Sequence, residues 1–147
     1  MQCLGRILCY FMCYVYTVST MKTILVDAWN TFVTENGVNS EMYELLETYP
    51  QKKIILTNAN DEEIQTLGLV DLPYELFTLK HNPNKTDPTY YITMLARYDL
   101  RAEDVVYFEH NTEAVESARS VGITTHHYDH EKKDIQALKV FLDEQLQ

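Results

Sequence analysis

Five short apolar runs, separated by amphipathic stretches, constrain this chain more than any other feature of its sequence. They are Ile24-Leu25-Val26, Ile54-Ile55-Leu56, Leu76-Phe77-Thr78-Leu79, Val105-Val106-Tyr107-Phe108 and Ile123-Thr124-Thr125. Each is continuous rather than alternating, which is the pattern of a strand covered on both faces. The stretches between them have helical spacing and helix-boundary residues. Ser40 to Thr48 aligns Met42, Leu45 and Leu46 after the cap candidates Asn39 and Ser40. Asn60 to Leu67 opens with Asp-Glu-Glu, favourable at a positive helix start, and stops at Gly68. Asp87 to Tyr98 has Pro88 in its first turn and sets Tyr91, Leu95 and Tyr98 along one side. Asn111 to Val121 stops at Gly122, and Asp134 to Leu146 carries Ile135, Leu138, Phe141 and Leu142 as an apolar face. Strands alternating with helices of this length predict βαβ units. The expectation is an α/β, three-layer Rossmann-like domain over residues 21–147 with a mainly parallel five-stranded sheet.

In such sheets ligand-binding residues collect at the carboxyl ends of strands. The residues at those places are Asp27, Thr57-Asn58, Lys85 a little further on, and Glu109-His110. Taken together they resemble, in order, the motifs of the haloacid dehalogenase (HAD) superfamily of phosphatases and related hydrolases. Ile24 to Phe32 is similar to the first motif, an apolar strand followed by D-x-D-x-T. Leu56-Thr57-Asn58 is similar to the second, a strand ending in Ser or Thr. Lys85-Thr86-Asp87-Pro88, with Tyr91 beyond, resembles a third segment in which Lys opens a helix. Val105 to Gly122 resembles the fourth, where acidic residues after a strand precede an Ala-rich helix and Gly.

The resemblance implies an aspartyl nucleophile at Asp27, since a carboxylate can attack phosphorus and split one hard step into two. Thr57 and Lys85 would hold the phosphoryl group, with Thr31 and Asn58 donating hydrogen bonds to its oxygens. It also implies Mg²⁺, held by Asp27, the backbone carbonyl of Trp29 and Glu109. A phosphorylated substrate, small or macromolecular, would be the partner. The departures are specific. The residue two after the nucleophile, normally an Asp that protonates the leaving group, is Trp29, and indole cannot do that work. His110 stands in the usual second acidic place and is a poor Mg²⁺ ligand, because Mg²⁺ prefers oxygen. Glu113 is an acidic residue that could compensate from the helix start, or an ordinary first-turn charge.

Asp27-Ala28-Trp29-Asn30-Thr31 also resembles the D-A-Y-G-T of true dehalogenases. Those enzymes use an Arg from a helical cap, whereas Thr31 to Lys52 contains no Arg and is too short for that cap. Two functions stay open: a phosphatase limited to good leaving groups, or a catalytically inactive domain of the same fold acting in ligand or protein binding.

A formal net charge of -10 argues against nucleic-acid binding, which needs a basic surface to displace phosphate counterions. Cys3, Cys9 and Cys13 all precede residue 21, so residues 21–147 carry neither a disulfide framework nor a thiolate metal site, as expected of a cytoplasmic protein. Ile7 to Val18 is an apolar run after Arg6 that loosely resembles a signal peptide but lacks a small-x-small cleavage pattern. Residues 1–20 are an upstream start misread as the beginning, a signal or membrane anchor, or an ordered extension. His126, His127 and His130 could bind Zn²⁺, or simply lead a last strand into an exposed loop.

Overall fold

The computed structural model describes residues 21–147, so the expectations for residues 1–20 lie outside the described residues. Strand β1 (Thr23–Asp27) leads into a single turn and a hairpin of β2 (Val33–Thr34) and β3 (Gly37–Val38). Then follow α1 (Ser40–Glu47), β4 (Lys53–Thr57), α2 (Asp61–Thr66), β5 (Glu75–Thr78) and α3 (Pro88–Arg97). The rest is β6 (Val105–Glu109), α4 (Thr112–Ser120), β7 (Thr124–His127) and α5 (Ile135–Gln145), with a 3₁₀ turn at Ala102–Asp104 before β6. The main sheet has five strands in the order β5-β4-β1-β6-β7, and every pairing is parallel. The expected α/β architecture with a five-stranded parallel sheet is the one observed. Between β1 and β4 the chain forms only the hairpin and α1, so among the described residues no sizeable cap covers the sheet.

The helix boundaries follow from side-chain caps. Asn39, Asn60, Asp87, Asn111 and Asp134 each accept a backbone N–H of the first turn, which satisfies donors that the helix itself leaves orphaned. Asn60 and Glu63 form a reciprocal capping box. Gly122 has φ +90, a conformation that reverses the chain between α4 and β7 and that a Cβ would strain.

Period-two alternation along the central strands divides the core into two layers. Ile24, Val26, Ile55, Val106 and Phe108 face one side and pack with Met42 and Leu46 of α1 and Leu138 and Leu142 of α5. Leu25, Ile54, Leu56 and Tyr107 face the other and pack with Tyr90, Tyr91 and Met94 of α3 and Ala118 of α4. Asp27 and Glu109 share the parity of Leu25 and Tyr107, so both are directed to the α3/α4 side at the carboxyl ends of adjacent strands. Among the described residues no helix is long and apolar enough to cross a membrane.

Candidate active site

The sheet order places the site. From β1 the chain moves to β4 and β5 on one side, and from β6 it moves to β7 on the other. A crevice therefore opens where connections leave in opposite directions, above the adjoining ends of β1 and β6. Asp27 and Glu109 sit at those ends. The cleft there measures ≈ 160 Å³ and is also lined by Trp29, Thr57, Asn58, Lys85, His110 and Asn111.

Each side chain is held by its own local structure. Thr31 lies in the turn after β1, where Phe32 and Val33 donate back to the Ala28 carbonyl at 2.9 Å. That turn directs the Thr31 hydroxyl to donate to Asp27 Oδ2 at 2.7 Å. Thr57 ends β4; its Oγ1 accepts from Ala59 N at 3.2 Å, and its carbonyl accepts from Tyr90 OH at 2.8 Å. Asn58 Oδ1 accepts from the backbone N–H of Lys85 at 2.7 Å, tying the loop after β4 to the loop before α3. Lys85 is thereby delivered from outside the sheet onto its carboxyl edge.

Lys85, Asp27 and Glu109 form one buried ionic group. The ammonium lies 2.6 Å from Asp27 Oδ1 and 2.7 Å from Glu109 Oε1. Its remaining donor reaches the Leu56 carbonyl at 3.4 Å. Side-chain exposure is 8% for Lys85, 1% for Asp27 and 0% for Glu109, so water screens little of this interaction. His110 closes the other side. Its Nδ1 makes a short hydrogen bond to Asp27 Oδ2 and lies 3.4 Å from Glu109 Oε2. Its backbone N–H donates to Glu109 Oε2 at 2.9 Å and approaches Asp27 Oδ2 at 3.3 Å. Tyr107 OH donates to Glu109 Oε1 at 3.1 Å. Every oxygen of both carboxylates is therefore partnered.

Titration follows from this packing. Burial alone would raise the Asp27 carboxyl, but the Lys85 ammonium and the hydrogen bond and charge of His110 hold it well below the usual carboxylate range. Burial and the adjacent Asp27 charge raise Glu109 above its ordinary value, against the pull of Lys85. For Lys85, desolvation is outweighed by the two carboxylates, and its ammonium form is strongly favoured. Burial would lower His110, yet hydrogen bonds and charge from Asp27 and Glu109 raise it to about 9.

The residues that the family resemblance assigns to the site, Asp27, Trp29, Thr31, Thr57, Asn58, Lys85 and Glu109, gather around this one crevice. Thr31 is fully buried and engaged with Asp27, so it serves the carboxylate before any ligand. Glu113 is exposed in the first turn of α4, a helix-start charge. The histidine group disperses: His126 stacks on Phe141, His127 Nε2 bonds the His110 carbonyl at 2.9 Å, and His130 packs edge-on against the His110 ring. What sequence reasoning missed is the contact of His110 with Asp27 and that of Tyr107 with Glu109. The second had a signal, since residues two apart on a strand share a face.

The ligating atoms of Asp27, Glu109 and His110 lie within 4.8 Å of one another. As arranged, this set does not fit Mg²⁺, which demands near-octahedral oxygen ligation. A cation bridging the carboxylates would use Asp27 Oδ2 and Glu109 Oε2, and His110 Nδ1 already sits between them. Neither carboxylate leaves an orphaned oxygen that calls for a metal.

No protein-family model matches the sequence, and no curated protein matches it in sequence. Solved structures do match its fold. An enzyme of the HAD family from Bacteroides thetaiotaomicron, crystallised as an Asp-to-Ala variant with magnesium and inorganic phosphate, superposes with a TM-score of 0.60 at 10% identity, covering 76% of this chain and 95% of that one. The core domain of a candidate phosphoglycolate phosphatase from Streptococcus pneumoniae gives a TM-score of 0.52 at 18% identity, over 73% of this chain and 79% of that one. A HAD-superfamily hydrolase from Ehrlichia chaffeensis gives 0.55 at 17% identity, over 75% of this chain and 60% of that one. The chain has a HAD-like fold.

Proposed function

We propose that this HAD-like domain is a phosphoryl hydrolase in which Asp27 is the nucleophile and the substrates are phosphorylated compounds with good leaving groups. The observation that carries this reading is the position of Asp27, an ionised carboxylate at the topological switch point with Lys85 against it at 2.6 Å. The inorganic phosphate bound by the Bacteroides neighbour supports a phosphoryl ligand. An oxygen of Asp27 would attack phosphorus, and the bond to the leaving oxygen would break with its electron pair going to that oxygen. Water would then attack the aspartyl phosphate, releasing orthophosphate and restoring Asp27.

The chain's residues would divide the remaining work. Thr57 keeps its hydroxyl hydrogen and Asn58 its amide N–H groups for phosphoryl oxygens, because each uses its oxygen as an acceptor within the protein. Lys85 offsets charge beside Asp27, and its 3.4 Å contact to the Leu56 carbonyl is the one a phosphoryl oxygen would replace most easily. Asp27, the Trp29 carbonyl and Glu109 are the groups that the family resemblance implies for Mg²⁺; their arrangement with His110 gives no reason to route a step through one. Trp29 offers no proton to the leaving oxygen. A positioned acid is worth ~10²–10⁴-fold, so acyl phosphates, aryl phosphates and nucleotides should be preferred over alkyl esters. Phosphoesters of either small molecules or macromolecules are candidates, since among the described residues no sizeable cap covers the sheet. The cysteine-free residues 21–147 support a cytoplasmic setting.

A second reading, phosphoryl-ligand binding without turnover, is favoured by the near-complete burial of Asp27 and by Trp29. A panel of phosphate compounds assayed with wild type and Asp27→Asn separates the two. Turnover that disappears in the variant supports the hydrolase. Ligand binding by calorimetry with no turnover on any compound supports the second reading, and equal turnover by both proteins removes Asp27 as nucleophile.

A further inference from the structure

Two nitrogen groups bridge the same pair of buried carboxylates on opposite oxygens. Lys85 Nζ joins Asp27 Oδ1 to Glu109 Oε1, at 2.6 and 2.7 Å. His110 Nδ1 joins Asp27 Oδ2 to Glu109 Oε2. The second pair of oxygens is the one a divalent cation would need, and the imidazole fills the corner between them. We infer that His110 is the built-in replacement for a metal ion at this site, so that phosphoryl ligands bind it without any divalent cation.

The ring is fixed in that corner rather than resting there. The His110 backbone N–H is anchored to Glu109 Oε2 at 2.9 Å, and its carbonyl accepts from His127 Nε2 at 2.9 Å. The His130 ring packs edge-on with centroids 4.9 Å apart, and Thr31 Oγ1 lies 3.5 Å from Nδ1. To admit a cation, the ring would have to leave this setting and give up its bond to Asp27. The cation would then have only Asp27, Glu109 and the Trp29 carbonyl as protein oxygen donors, with none from position 110, because imidazole is a poor Mg²⁺ ligand. Replacing one acidic residue by histidine thus removes a metal ligand and supplies a hydrogen-bond donor together. The same substitution changes what a ligand meets. Where a metal would offer open coordination positions to phosphoryl oxygens, His110 offers directed N–H contacts only.

This inference rests on the phosphoryl-site reading above, and the experiment keeps the two apart. Mg²⁺, Mn²⁺ and Zn²⁺ are titrated by calorimetry into chelator-treated full-length protein, wild type and His110→Asp. Orthophosphate is then titrated into each protein in EDTA and in Mg²⁺. Wild type should show no saturable metal binding and the same orthophosphate affinity in both buffers. His110→Asp should gain Mg²⁺ binding, and its orthophosphate affinity should rise with Mg²⁺ by a factor in the ~5–150 range of two coupled ligands. Saturable binding of any of the three metals by wild type overturns the inference, as does a wild-type orthophosphate affinity that rises on adding Mg²⁺. If His110→Asp fails to fold, the wild-type titrations still decide. If wild type binds no orthophosphate in either buffer, the phosphoryl reading fails, and the metal titrations judge His110 on their own.

Discussion

Lys85→Met tests whether the ionic group at the sheet edge is as tightly coupled as its geometry requires. Methionine keeps the length of the side chain and removes its charge. One ammonium serves two carboxylates, at 2.6 and 2.7 Å, that are themselves 1% and 0% exposed. Removing one partner of a buried pair typically costs ~3–5 kcal/mol, mostly because the remaining charge stays buried without compensation. For a chain of this size that corresponds to a fall of about 10–20 °C in Tm at neutral pH. The deficit should shrink in acid. Asp27, whose carboxyl is held low, contributes stability above its ordinary value of 3.8 and loses it as pH falls. Glu109, whose carboxyl is raised, takes up its proton earlier still. Adding Asp27→Asn to Lys85→Met should restore part of the loss, so the two effects should not sum. Urea unfolding of the four proteins across pH gives these numbers. A Lys85→Met protein within ~1 kcal/mol of wild type at pH 7 would mean that water screens the group and that the buried coupling is absent.

Trp29→Asp returns a proton donor to the position two after Asp27, and should speed cleavage of alkyl phosphates by up to ~10²–10⁴-fold while changing acyl phosphates little; equal effects on both would count against a missing acid. His110, whose ring faces Asp27, Glu109 and His130, should titrate near 9 by NMR rather than at its ordinary 6.5. Because its folded value is raised, its contribution to stability is complete below about pH 6.5 and is lost as pH rises through about 9. A His110→Asn protein should lack that alkaline loss in unfolding experiments. Gly122→Ala should cost about 1–2 kcal/mol, because alanine strains a φ of +90 even though its Cβ would meet Ala102 at an ordinary 3.6 Å; a neutral result in thermal melts would show that the turn relaxes.

The elements were legible because local chemistry and burial agree. Ile54-Ile55-Leu56 and Val105 to Phe108 are apolar without interruption since helices cover both sides of the sheet. Asn60 with Glu63 and Asp87 with Pro88 announce helix starts through bonds that span only a few residues. The hairpin β2–β3 was not legible. Its two strands are two residues each, and Glu35-Asn36 turns them without a flanking alternation to mark them. Strand β7 extends through His126 and His127, polar residues that pair with Phe108 and Glu109 at the sheet edge, where a half-exposed strand needs no apolar run.

For the site, chain order alone set Asp27, Thr57, Lys85 and Glu109 at the loops that a parallel sheet gathers at one end. That much depends on topology, and topology depends on the pattern of apolar runs. How those residues meet was decided in three dimensions. His110 is a poor Mg²⁺ ligand by its chemistry, yet only the folded sheet reveals that its ring stands between Asp27 and Glu109. Residues 83 positions apart are brought together there because β1 and β6 are neighbours in the sheet. A sequence carries local periodicity and the identity of each group; the distance between two charges, and so the strength of their coupling, exists only once the strands have paired.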